Sequence, residues 1–171
     1  MHPGSYLILG ILCLTVVPLC TGDQAVQMTG VTPGQVTDED LIRYSIEAQN
    51  NSYCPYSHFK VGAALLTTQG TVFTGANVEN AAYGSTVSAA EVAVYKAVSE
   101  GEKKFTAIAI TSSGGDFTYP GGTDRQVISE FGLDTRVIIS NGTETKVATI
   151  RDLLPDSFGS SEILRKNLPD K

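Results

Sequence analysis

Between Thr37 and Ala48, apolar residues recur at helical spacing. Leu41, Tyr44 and Ala48 form a stripe, and Ile42 and Ile46 widen it. Thr37 stands at the start as a capping residue, and Asp38, Glu39 and Asp40 fill an acidic first turn, which together predict a helix. The pattern then shortens. Val61 to Leu66 (VGAALL) and Thr71 to Ala76 (TVFTGA) predict two strands joined by the turn Thr67-Thr68-Gln69-Gly70. Helical spacing returns from Ser88 to Ser99, where Val87, Ala90, Val94 and Val98 share a side. Phe105 to Thr111 (FTAIAIT) predicts a strand, Ser112 to Gly122 a glycine-rich loop, and Thr123 to Gly132 a third helix. Arg136 to Ser140 and Thr145 to Ile150 predict a last hairpin around Asn141-Gly142, followed by a short helical tail. The order α-β-β-α-β-α-β-β has no repeat and no domain-scale linker. It predicts one layered α/β domain with a mixed five-stranded sheet flanked by helices.

Before the first helix the pattern is different. Tyr6 to Cys20 (YLILGILCLTVVPLC) is an apolar run of 15 residues, short for a membrane span, with small residues after it. It predicts a secretory signal at residues 1–22, cleaved after Gly22, although no Lys or Arg precedes it; the alternative is an uncleaved anchor. Residues 23–36 then form a lead-in, residues 37–171 the domain, and the mature protein is expected outside the cell. Cys13 and Cys20 leave with the signal, so Cys54 remains alone. A single thiol makes neither an intrachain disulfide nor a multi-thiolate zinc site, so Cys54 reads as a small buried residue or as one half of an intermolecular disulfide. In a secreted chain, Asn50-Asn51-Ser52 and Asn141-Gly142-Thr143 are glycosylation sequons, at Asn50 and Asn141. The 171 residues carry a net charge of −6, which argues against nonspecific nucleic-acid binding and against attraction to an anionic membrane.

Several blocks resemble the small, homotetrameric cytidine deaminases. They are Tyr53 to Leu66 (YCPYSHFKVGAALL), Thr74 to Tyr83 (TGANVENAAY), Lys96 to Gly101 (KAVSEG), Phe105 to Ile110 (FTAIAI) and Leu153 to Gly159 (LLPDSFG). The resemblance covers roughly residues 37–168. It implies zinc held by thiolates, a water activated on the metal, and a glutamate that shuttles protons around C4 of cytosine. Family members carry a C-A-E block at one helix start and a P-C-x-x-C block at the next. Here the first reads Ser88-Ala89-Ala90 and the second Pro120-Gly121-Gly122-Thr123-Asp124. Ser88, Gly121 and Asp124 therefore stand where the resemblance places the ligand cysteines, and Ala90 where it places the catalytic glutamate. Glu91 is one residue away, and one residue on a helix turns a side chain by about 100°. His58, the one histidine left after the signal, reads as a packing or hydrogen-bonding residue.

These replacements predict no metal, no cofactor and no catalytic residue: a pseudoenzyme that binds or supports rather than turns over. The alternative is an active hydrolase, either deaminating cytidine with altered machinery or running new chemistry in the old cleft. Ser88-Ala89-Ala90-Glu91 and Thr123-Asp124-Arg125-Gln126 match capping boxes, so the former metal region is expected to have become two structural caps. The resemblance further implies that Phe59 stacks on a base and that Asn77 and Glu79 bind ribose hydroxyls. Ala89 would offer a backbone contact, and Tyr56, Tyr83 and a neighbouring subunit's copy of Phe158 would wall the pocket. The opposing reading is that Asn77-Val78-Glu79-Asn80 only organises a turn. A homo-oligomer, a tetramer by resemblance, and a nucleoside-like small molecule are the partners expected.

Overall fold

The computed structural model describes residues 36–159. The run expected to be a secretory signal, most of the lead-in and the end of the tail lie outside the described residues. Helix α1 (Asp38–Ala48) starts as expected: the Thr37 hydroxyl accepts from Asp40 N, and the Asp40 carboxylate accepts from Thr37 N. Strands β1 (Val61–Thr67) and β2 (Val72–Ala76) form the first hairpin. Helix α2 (Ala89–Ser99) precedes strand β3 (Phe105–Ser112), and α3 (Gly122–Ser129) precedes β4 (Arg136–Ser140). Strand β5 (Thr145–Thr149) runs directly into the single turn of α4 (Ile150–Leu153), so Ile150 opens a helix rather than closing a strand.

The sheet has five strands in the order β2-β1-β3-β4-β5. Only β3 and β4 are parallel, because α3 carries the chain across between them; the other pairs are antiparallel. Alternation along the strands divides the core between two faces. Leu41 and Tyr44 of α1 pack on Ala64, Ala107, Ala109 and Ile138. The opposite face is larger. There Leu65, Ile108, Ile110, Val137 and Ile139 meet Ala93, Val94 and Ala97 of α2 and Ile128 of α3. Each fully buried aliphatic side chain contributes about 1.5–3 kcal/mol relative to exposure. Ile46 does not join the α1 stripe and is exposed; Ser45 takes the inward place, its hydroxyl sharing a hydrogen bond with Thr111.

Two glycines let the helices sit close. A Cβ at Gly62 would come within 1.9 Å of the Ser45 carbonyl oxygen, and one at Gly75 within 2.3 Å of the Ala89 carbonyl oxygen. Gly75 thus seats the first turn of α2 directly on β2. The start of β1, the ends of β2 and β3, and the starts of α2 and α3 all gather at one end of the sheet. Among the described residues, no helix is long and apolar enough to cross a membrane.

Candidate active site

An inner and an outer hollow among the described residues carry the expected site positions. The inner one is a recess of about 120 Å³ between the starts of α2 and α3, lined by Asn77, Ser88, Ala89, Ala90, Tyr119 and Asp124 among others. Ser88 caps α2 as expected. Its hydroxyl accepts from Glu91 N (3.1 Å), and the Glu91 carboxylate accepts from Ser88 N (2.9 Å). Glu91 is thereby turned back on the helix start and does not line the recess. The same Ser88 hydroxyl donates to Asp124 Oδ1, 36 residues away, while Asp124 Oδ2 accepts from Gly121 N at 2.7 Å.

The second expected cap is corrected. Helix α3 begins two residues earlier than the T-x-x-Q pattern suggests, with Gly121 at the N-cap position. Thr123 lies within the first turn and is exposed. Glycine has no side chain to accept from the helix, so the Asp124 carboxylate supplies the only side-chain half of the cap.

The outer hollow is wider, about 360 Å³, and is lined by Tyr56, Ser57, Glu79, Tyr83 and Thr86. Glu79 Oε2 accepts from Tyr56 N (2.9 Å) and Ser57 N (3.2 Å), and the Ser57 hydroxyl donates to Oε1. These bonds, the Ser57 hydroxyl first, hold the Glu79 carboxyl below its ordinary value. The rings of Tyr56 and Tyr83 meet edge-on at 6.0 Å. His58 sits in the same turn with φ of 55° and is exposed; its backbone N–H donates to the Cys54 carbonyl.

Asn77 lines the inner recess. It is 9% exposed; its Oδ1 accepts from Val61 N and its Nδ2 donates to the Phe59 carbonyl, both at 2.9 Å. The amide is therefore spent on fixing the chain from Phe59 into β1. The Phe59 ring is half-exposed and lies over Gly114, where a Cβ would come within 2.6 Å of the ring. Of the expected ligand-binding residues, Asn77 and Ala89 line the inner recess, and Tyr56, Glu79 and Tyr83 the outer hollow. Phe158 joins neither: it is exposed beside α3, its carbonyl accepting from Gln126 Nε2. Asn50 is exposed on the 3₁₀ turn after α1. Asn141 is half-buried in the β4–β5 turn, where its Oδ1 accepts from Thr143 N and Glu144 N.

Residues 17–111 match the family model for the cytidine and deoxycytidylate deaminase zinc-binding region. The chain belongs to the cytidine deaminase family. It is 41% identical over 140 residues to a probable cytidine deaminase of Dictyostelium discoideum, covering 80% of this chain and 95% of that protein. To a cytidine deaminase of Halalkalibacterium halodurans it is 41% identical over 125 residues, covering 72% and 95%. Among solved structures, the cytidine deaminase of Burkholderia pseudomallei superposes with a TM-score of 0.69 at 40% identity, covering 71% of this chain and 99% of that one. The mixed five-stranded fold expected from the sequence is the fold of that deaminase structure. The expectation that this chain is not an enzyme is overturned. Relatives about 40% identical across most of its length carry the names of enzymes, and nothing in the comparison marks a loss of activity.

The zinc that the family description names does not fit the donors present. A catalytic zinc needs about three good protein ligands. Ser88 offers a neutral hydroxyl and Gly121 no side chain, which leaves Asp124 as the one good donor among the three positions. Among the described residues, no group of three or more His, Cys, Asp or Glu is placed to hold a metal.

Proposed function

We propose that this chain is a nucleoside-directed hydrolase that deaminates a cytidine-class pyrimidine with machinery other than the thiolate-held zinc and glutamate. Support comes from its family membership and from one observation: Asp124, the single carboxylate among the described residues lining the inner recess, faces Ser88 across it. In this reading the base enters the recess past Ala89, with the Phe59 ring beside it and the sugar toward Glu79. Water adds to C4 and ammonia leaves. Asp124 takes one proton of the water and delivers it to the amino group that leaves as ammonia, N3 gains the other as the C4 carbonyl forms, and the Ser88 hydroxyl orients the carboxylate. A bound zinc brings the pKa of water down to about 7, and a carboxylate gives no comparable supply of hydroxide. Turnover is therefore expected to be slow, and insensitive to chelators.

The test is conversion of cytidine to uridine by full-length protein, followed by absorbance and ammonia release, with and without chelator. Turnover that persists in chelator and falls at least about 10²-fold in Asp124→Asn supports the assignment. Absence of ammonia release from cytidine and deoxycytidine overturns it. The same reading keeps the Tyr6–Cys20 run as a secretory signal, glycans on Asn50 and Asn141, and assembly into a homo-oligomer. Mass spectrometry of secreted material and light scattering check these three.

A further inference from the structure

We infer that the Ser88–Asp124 pair is a metal-independent clasp. It joins the starts of α2 and α3 at the place a bound ion would join them, and the native recess takes no zinc. Three observations converge. The Ser88 hydroxyl reaches two elements at once, accepting from Glu91 N in its own helix and donating to Asp124 Oδ1 in the other. The second Asp124 oxygen closes the start of α3 by accepting from Gly121 N at 2.7 Å. A Cβ built on Gly121 would lie 3.5 Å from that same oxygen, so positions 88, 121 and 124 point to one spot. Pro120, Ala89 and Ala90 complete the wall.

The chemistry of this cluster differs from that of a metal centre. Helix starts leave unpaired N–H donors with partial positive charge. One carboxylate and one hydroxyl satisfy donors at both starts and bond to each other, so no positive ion is needed to hold them. The pair also ties Gly121 and Pro120, at the end of the loop after β3, to the helix seated on Gly75. The clasp is independent of whether the cleft turns over substrate, and it is tested without an activity assay.

The experiment measures metal content and melting temperature of the full-length protein. Less than about 0.1 zinc per chain is expected after purification in zinc-supplemented medium, with no shift in melting temperature on adding chelator. Asp124→Ala is expected to lower the melting temperature by about 4–8 °C, and Ser88→Ala by less, with metal content unchanged. A triple variant, Ser88→Cys with Gly121→Cys and Asp124→Cys, supplies the geometric check. It is expected to take up one zinc per chain and to become chelator-sensitive. Stoichiometric zinc in the unaltered protein, with destabilisation by chelator, overturns the clasp. So does a folded triple variant that binds no zinc, because the three positions would then not share one spot. If Asp124→Ala fails to fold, Asp124→Asn replaces it. Asparagine can keep one of the two contacts, and an intermediate melting temperature supports the clasp while an unchanged one overturns it.

Discussion

The outer hollow and the inner recess are built from opposite materials. In the outer hollow, residue types match the blocks that carry the family resemblance, and Glu79 is held by three donors from Tyr56 and Ser57, all on an exposed turn. In the inner recess, Ser88, Ala90 and Asp124 depart from that pattern, yet the polar groups are equally well served by the chain. The difference lies in what it costs to exchange those partners. Donors on an exposed turn are replaced by water or a sugar hydroxyl with little loss. Bonds between two helix starts, or from the buried Asn77 amide, take part of the scaffold with them. Resemblance in residue type therefore does not by itself mark a group as available to a ligand. Asn77 and Glu79 carry the same expected role but stand on different sides of that line.

Substitution should separate the two regions in order of effect. Asn77→Ala strands Val61 N and the Phe59 carbonyl in a part-buried setting, and about 1–3 kcal/mol of stability is expected to be lost in chemical denaturation. A loss under about 0.5 kcal/mol would place Asn77 with the exchangeable groups. Next come the two helix starts. Ser88→Ala is expected to cost about 1 kcal/mol and Thr123→Ala almost nothing, since Thr123 is not the cap. Equal losses would restore the cap that the sequence suggested.

The smallest effect is expected at the outer turn. Ser57→Ala should leave the melting temperature nearly unchanged while the Glu79 carboxyl rises toward its ordinary value of 4.5, as followed by carboxyl NMR through a pH titration. The sign follows from linkage. A carboxyl lowered on folding stabilises the protein above its unfolded pKa, near 4.5, and that contribution disappears as pH falls through the lower folded value. The variant should therefore lose less stability on acidification than the parent. An unmoved Glu79 titration would remove Ser57 as the main cause.

Much of the fold was legible because its signals are local. The Thr37 cap, the strand runs and the helix starting after Ser88 all rest on residues within a turn of one another. The start of α3 was misread because Pro120-Gly121-Gly122-Thr123-Asp124 holds two overlapping patterns. The one with a visible capping hydroxyl lost to the one in which glycine leaves the work to a carboxylate. Ile46 fits the helical stripe by spacing, yet Ser45 is buried in its place through a bond to Thr111, a partner 66 residues on. The site suffered most from this limit. Ser88 and Asp124 are 36 residues apart, and Ser57 and Glu79 are 22 apart. No periodicity relates such pairs; topology alone brings them together.

Gly75 has a consequence beyond packing. With α2 resting backbone-to-backbone on β2, the position of its first turn is set by a missing side chain and not by what the cleft contains. The chemistry at residues 88 and 90 can therefore be rewritten by selection without re-engineering its foundation. A chassis of this sort offers directed evolution a fixed mount for interchangeable parts.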